Sequence, residues 1–149
     1  MEVLEQAREE VVGFSPMRHF LMILAIASLV GGCSGKKARK LITDPIIERE
    51  IRRQLSKPEG ALTKGDLKKV NELILSGTKI TNTSLEEVTK LSNLSKLSLQ
   101  VNKGITDEGL KEVAKLTQLK KVQLYATKVT EEGVTELQKA LPECTIDWP

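Results

Sequence analysis

The segment Leu91–Tyr125, LSNLSKLSLQVNKGITDEGLKEVAKLTQLKKVQLY, limits what this chain can fold into more than any other stretch. Its apolar residues stand at Leu94-x-x-Leu97-x-Leu99, then at Ile105, Leu110, Val113 and Leu116. The first spacing restarts at Leu119-x-x-Val122-x-Leu124. A pattern that returns after roughly 20–30 residues is the sequence mark of a stacked solenoid. One such unit is too small to bury its own apolar face, so the neighbouring units must cover it.

The spacing extends both ways. It occurs before the segment as Val70-x-x-Leu73-x-Leu75, and after it in truncated form as Leu141-x-x-Cys144-x-Ile146, followed by Trp148. Taking Leu73, Leu97, Val122 and Cys144 as equivalent gives spacings of 24, 25 and 22 residues, with the extra middle residue absorbed in the loop Asn102-Lys103-Gly104. Thr81, Thr106 and Thr130 fall at matching places and are predicted to cap helices. Asp107–Glu108 and Glu131–Glu132 then place negative charge in a first helical turn, where the dipole favours it. The helices present Leu85/Val88/Leu91, Leu110/Val113/Leu116 and Val134/Leu137/Leu141 to the interior. Aromatic residues make up only 3% of the chain, so these aliphatic layers must supply the core. The fold class is therefore α/β: a short parallel sheet on one side and helices on the other.

Before the repeats, Ile47, Ile51 and Leu55 form a helical stripe that begins just after Pro45 and ends at Lys57-Pro58-Glu59-Gly60. Thr63 is placed to cap a second short helix reaching Leu67. The form D-x3-E-x2-IR-x2-L-x-KPEG-x-LT-x2-DL over Asp44–Leu67 resembles the helical N-terminal cap of many bacterial leucine-rich repeat proteins. The repeat form L-x-x-L-x-L-x-x-T-x-[IV]-T-x-x-G-[LV], closing with ALP-x-C-x-I-x-W, resembles short secreted leucine-rich repeat proteins of planctomycete-like bacteria. The resemblance covers Ile46–Trp148. It implies a leucine-rich repeat solenoid with its parallel sheet on the concave side and its helices on the convex side. The cap would occupy residues 44–69, and three repeats plus a truncated one would occupy 70–149. The first repeat departs from the form, because Thr81-Asn82-Thr83-Ser84 lacks the glycine present at Gly109 and Gly133.

The N-terminal forty residues have another character. Met17-Arg18-His19 leads into an apolar run from Phe20 to Val30. Such a run is too short to span a bilayer, which takes about 20 residues, and fits the apolar core of a secretory signal. Val30-Gly31-Gly32-Cys33 resembles a bacterial lipobox, which implies cleavage after Gly32 and lipidation of Cys33, with palmitate among its acyl chains. Residues 33–43 then read as a flexible basic tether carrying Lys36, Lys37, Arg39 and Lys40, attracted to anionic headgroups. Ser34 after the cysteine fits outer-membrane sorting, so the expected place is the cell envelope, facing the periplasm or the cell surface. Residues 1–16 carry Glu2, Glu5, Glu9 and Glu10 against Arg8 alone, the reverse of a positive leader start. They read as a misassigned extension ahead of a start at Met17, with the signal peptide at 17–32.

The chemistry available is narrow. The single histidine, His19, lies in the leader, so a mature chain has no imidazole base to activate a nucleophile. Cys144 falls at a core position. No glycine-rich phosphate loop occurs. The net charge of +3 comes without the clustered basic and aromatic residues of a nucleic-acid surface. The expectation is a non-catalytic protein without cofactor, metal, nucleic acid or small-molecule substrate.

What remains is the outward sheet face. Alternation along the strands turns outward Glu72, Ile74 and Ser76, then Lys96, Ser98 and Gln100, then Lys121, Gln123 and Tyr125, then Glu143, Thr145 and Asp147. The candidate binding residues are Glu72, Ile74, Lys96, Ser98, Gln100, Lys121, Gln123, Tyr125 and Thr145, with a protein or another envelope component as partner. Two alternatives stand beside this reading. One is a structural envelope spacer. The other is an intracellular interaction adaptor whose N-terminus only imitates a signal.

Overall fold

The computed structural model describes residues 40–149. The extension at 1–16, the signal peptide at 17–32, Cys33 and most of the tether lie outside the described residues. The described residues form one compact unit.

In chain order the elements are α1 (Pro45–Gln54), α2 (Lys64–Leu67), β1 (Glu72–Ile74), α3 (Asn82–Val88), β2 (Lys96–Ser98), α4 (Asp107–Val113), β3 (Lys121–Gln123), α5 (Glu131–Ala140) and β4 (Thr145–Asp147). The strands line up as β1-β2-β3-β4, each parallel to the next. Each strand is followed by a helix that returns the chain to the start of the next strand. Leu73, Leu97 and Val122 share one register, and with Leu75, Leu99 and Leu124 they face the helices, fully buried. Leu85 and Val88, Leu110 and Val113, and Leu137 answer them from the helix side, also buried. A buried aliphatic side chain contributes about 1.5–3 kcal/mol, so each layer stabilises its neighbours, not only itself.

The strands stop after three residues because the chain must turn. Gly77, Val101 and Ala126, at equivalent places, all adopt positive φ, between 57° and 67°. The amides of Gly77 and Val101 still donate across the sheet, to Gln100 O and Tyr125 O, both at 2.9 Å. The turn exposes backbone groups, and one side chain satisfies them. Asn102 is completely buried. Its Nδ2 donates to Leu75 O at 2.7 Å and Leu99 O at 2.9 Å, while its Oδ1 accepts from the Lys79 amide at 2.9 Å. Thr78 and Thr127, at the corresponding places, donate to Leu75 O and Leu124 O.

A second seam runs along the helix starts. Thr81, Thr106 and Thr130 are N-cap residues, as their spacing predicts. The residue after each threonine reaches across to the next repeat. Asn82 Oδ1 accepts from the Thr106 amide at 3.1 Å, and its Nδ2 donates to Thr106 Oγ1 at 2.8 Å. Asp107 repeats the contact, accepting from the Thr130 amide at 2.8 Å and the Thr130 hydroxyl at 2.7 Å. The glycines follow from this. A Cβ at Gly109 would stand 2.5 Å from Asn82 Oδ1, and one at Gly133 would overlap the Asp107 carboxylate.

The N-terminal segment packs on the β1 end, with α1 against β1 and α3. Ile42, Ile47 and Ile51 are buried there. Asp44 caps α1 by accepting from the Ile46 and Ile47 amides, Pro45 is the first helical residue, and Thr63 forms a capping box with Asp66. Ser84, which stands where the other repeats have glycine, donates to Asp44 Oδ2 at 2.6 Å.

The last repeat corrects the sequence alignment. Val122 pairs with Ile146, not Cys144, and Lys121 pairs with Thr145. Matching apolar offsets shifted the last strand by two residues, because Leu141 and Cys144 are both buried as α5, three residues longer than α3 and α4, runs into the strand. The sheet register is set by the backbone ladder, in which the Thr145 amide donates to Lys120 O at 2.8 Å and the Leu124 amide to Asp147 O at 2.8 Å. Cys144 is an interior residue just ahead of β4.

Candidate binding face

Three-residue strands expose few outward positions, and the register assigns them to columns. The first column is Glu72, Lys96, Lys121 and Thr145, and the second is Ile74, Ser98, Gln123 and Asp147. Thr145 therefore stands beside Lys121, and Asp147 beside Gln123, a two-residue correction to the row inferred from sequence. Beyond the strands follow Ser76, Gln100 and Tyr125.

These residues are not equally available. Tyr125 is 59% exposed and Ile74 46%, large apolar surfaces without cover. Ser98 is only 9% exposed, and its hydroxyl lies 2.8 Å from that of Ser76. It forms part of the floor and offers little surface to a partner. Lys121 Nζ sits 2.9 Å from Asp147 Oδ2, and Gln123 Nε2 donates to the same oxygen at 3.3 Å. The hydrogen bonds from Lys121 and Gln123 lower the Asp147 carboxyl below its ordinary pKa. Lys96 lies beside Lys121 in register but makes no salt bridge among the described residues. Between them, Glu72, Lys96, Ser98, Lys121 and Gln123 rim a shallow recess of about 230 Å³. Gln100 and Thr145 flank the face, half-buried and exposed respectively.

One surface residue escaped the sequence reading, and another, Asp147, was read as outward but left out of the candidate set. Val101 is 56% exposed beside Tyr125, at a φ of 58° that is rare for a β-branched side chain. Strand alternation carries no signal for it, because it lies in the turn. Asp147, already read as outward, gains its place beside Gln123 and its ion pair with Lys121 only from the corrected register.

The remaining chemistry is sparse. Among the described residues no group of His, Cys, Asp and Glu is arranged to hold a metal ion. Burial pushes the Cys144 thiol up, which keeps it protonated at neutral pH. No helix among the described residues is long and apolar enough to cross a membrane.

No protein-family model matches the chain, and no curated protein matches it. Solved structures do resemble it. An internalin from Listeria monocytogenes matches with a TM-score of 0.54 at 24% identity, over 69% of this chain and 28% of the internalin. A Leptospira interrogans leucine-rich repeat protein matches with a TM-score of 0.39 at 28% identity, over 59% of this chain and 28% of that one. The chain thus spans little more than a quarter of the length of either. The internalin match, with the parallel sheet and its returning helices, establishes a leucine-rich repeat fold of the kind found in bacterial proteins.

Proposed function

We propose that this chain is a lipid-anchored, non-catalytic binding module of the bacterial envelope, whose sheet face takes a protein or another envelope component. The observation that carries the reading is the exposed pair Ile74 and Tyr125 on a face otherwise lined by Lys96, Gln100, Lys121 and Gln123. Exposed aromatic and apolar groups within a polar surround are the usual anchors of protein recognition. The leucine-rich repeat fold suits such a role, since repeat solenoids present extended binding surfaces. Residues 44–69 act as the N-terminal cap, shielding the end of the first repeat with α1 and α2. The anchor is Cys33, by its lipobox-like context, with the outer membrane facing the periplasm as the favoured site.

Two measurements test this. Labelled palmitate should be incorporated into wild type and lost on Cys33→Ala; labelling that survives the substitution overturns the anchor. Crosslinking and pull-down from the native envelope should recover fewer partners with Tyr125→Ala/Lys121→Glu than with wild type. Equal recovery removes the sheet-face site and leaves the spacer reading.

A further inference from the structure

The return loops, which lead from each helix to the next strand, lie together on one edge of the stack, because the strands are parallel. Backbone hydrogen bonds tie them into a ladder. The Ser95 amide donates to Asn71 O, the Lys120 amide to Ser95 O and the Thr145 amide to Lys120 O, each at 2.8 Å. Asn93 Nδ2 adds a bond to Lys68 O at 2.8 Å, and Gln118 Nε2 one to Leu91 O at 3.1 Å. The loops 68–71, 89–95, 114–120 and 141–144 carry Lys68, Lys69, Lys90, Lys115 and Lys120, all exposed, against the single carboxylate Glu143. Lys90 and Lys115 pair with Glu87 and Glu112 of the preceding helices. Lys68, Lys69 and Lys120 form no salt bridge among the described residues.

The opposite edge has the other sign. There Lys79, Lys103 and Lys128 are outnumbered by Asp107, Glu108, Glu131 and Glu132 in the first turns of α4 and α5. Helix dipoles account for lysines in a last helical turn. They do not account for Lys120, well past the end of α4, and Lys68 and Lys69 follow a helix of only four residues.

The chain enters the fold on the basic edge. Leu41 O accepts from Lys90 Nζ at 2.9 Å, Thr43 donates to Glu87, and Asp44 accepts from Ser84. Residues 41–44 thus run along α3 from its end to its start. Lys40 is seven residues on from Cys33, at most about 25 Å of chain.

We infer that this edge is a docking surface for the anionic bilayer that holds the lipid anchor, with Lys68, Lys69 and Lys120 on the headgroups. The inference rests on the anchor at Cys33 proposed above. Two observations select a bilayer over an acidic protein. The short tether keeps the edge close to the headgroups, whose attraction decays over a Debye length of about 8–10 Å. The edge also lacks apolar anchors. Among the described residues the exposed large hydrophobics are Ile74, Val101 and Tyr125, which lie on the sheet face or the opposite turns. A protein interface draws its energy from such groups, whereas attraction to headgroups needs only charge. Docked this way, the strands point away from the membrane and the sheet face stays open to its partner.

The test places the lipid-bearing full chain on vesicles and labels its amines with a membrane-impermeant acetylating reagent, read lysine by lysine by mass spectrometry. Flotation with pure phosphatidylcholine vesicles checks the anchor. A chain that does not float removes the anchor and this inference with it. On vesicles containing phosphatidylglycerol, Lys68, Lys69 and Lys120 should be labelled at least about threefold more slowly than on pure phosphatidylcholine. Lys79, Lys103 and Lys128 should be labelled equally on both. In about 1 M salt, where the Debye length is about 3 Å, the difference should vanish. Flotation with equal labelling of Lys68, Lys69 and Lys120 on the two lipids, or with protection of Lys79, Lys103 and Lys128 instead, overturns the docking and leaves the anchor standing.

Discussion

The two kinds of seam between layers solve one problem with different side chains. Inside the stack, Asn82 and Asp107 reach forward to Thr106 and Thr130, and the following helix must be bare at its third residue, Gly109 or Gly133, to admit them. At the N-terminal end no repeat precedes the first, and no such side chain arrives. Ser84 occupies the glycine's place and reaches back to Asp44, while Thr43 donates its amide and hydroxyl to Glu87 at 3.0 and 2.7 Å. The interior seam is neutral–neutral or carboxylate–hydroxyl and depends on an absent Cβ. The end seam depends on two carboxylates, and one of them also caps a helix. The lesson is that a missing glycine in a repeat marks a change of neighbour rather than a defect in the repeat.

The contrast can be broken most forcefully at Gly133. Gly133→Leu should destabilise by about 2–3 kcal/mol, since the new side chain displaces Asp107 and severs both of its bonds to Thr130. A urea midpoint equal to that of wild type would show that the glycine is not required there. At the end seam the same place tolerates a side chain but needs its hydroxyl. Ser84→Ala should cost about 1–2 kcal/mol, and Ser84→Gly a comparable amount, because a hydrogen bond to a charged partner is lost in both. Thermal unfolding of the two variants measures this; a stabilised Ser84→Gly would mean the first repeat prefers the interior solution.

Acid should separate the seams without mutation. Partial burial pushes the Asp44 carboxyl up, but hydrogen bonds from Ser84, Ile47 and Ile46 outweigh it and lower the pKa below the ordinary 3.8. Glu87 is likewise pushed up by burial and pulled further down, below 4.5, by Thr43 and Lys90. Lowered folded-state values mean stability that is fully present above the ordinary values and is lost as the pH falls through the folded ones. Amide exchange should therefore show α1 losing protection below about pH 4 ahead of α4 and α5; simultaneous loss would contradict the distinction. The smallest effect belongs to Asn82→Asp. An aspartate there can accept from the Thr106 amide and hydroxyl as Asp107 does from Thr130, so stability should change by less than about 0.5 kcal/mol. A loss above about 1 kcal/mol would show that the donor on Asn82 carries the rung.

Much of this architecture was legible in the residues. The offsets of Leu73, Leu97 and Val122 located three of the four strands, and the threonines located every repeat helix start. The last strand was misread by two residues, since Leu141 and Cys144 satisfy the apolar offsets while the backbone pairs Ile146 with Val122. Burial marks an interior residue without saying which hydrogen-bonded partner it faces. The candidate face was legible as a set of outward positions, but its hierarchy was not. Ser98 looks as available as Tyr125 in sequence, and it is covered because it sits mid-sheet with Ser76 at its hydroxyl.

By itself the sequence determined the kind of fold, because a periodic demand for burial can be met only by stacking like units. It also marked Cys33 and the apolar run before it, which rest on local pattern alone. The tertiary structure decided which outward residues share a column, and why Gly109 and Gly133 are glycine and Ser84 is not. Those facts depend on contacts between residues about two dozen positions apart. Such contacts are set by backbone pairing across repeats, a property of the stack that no single repeat carries.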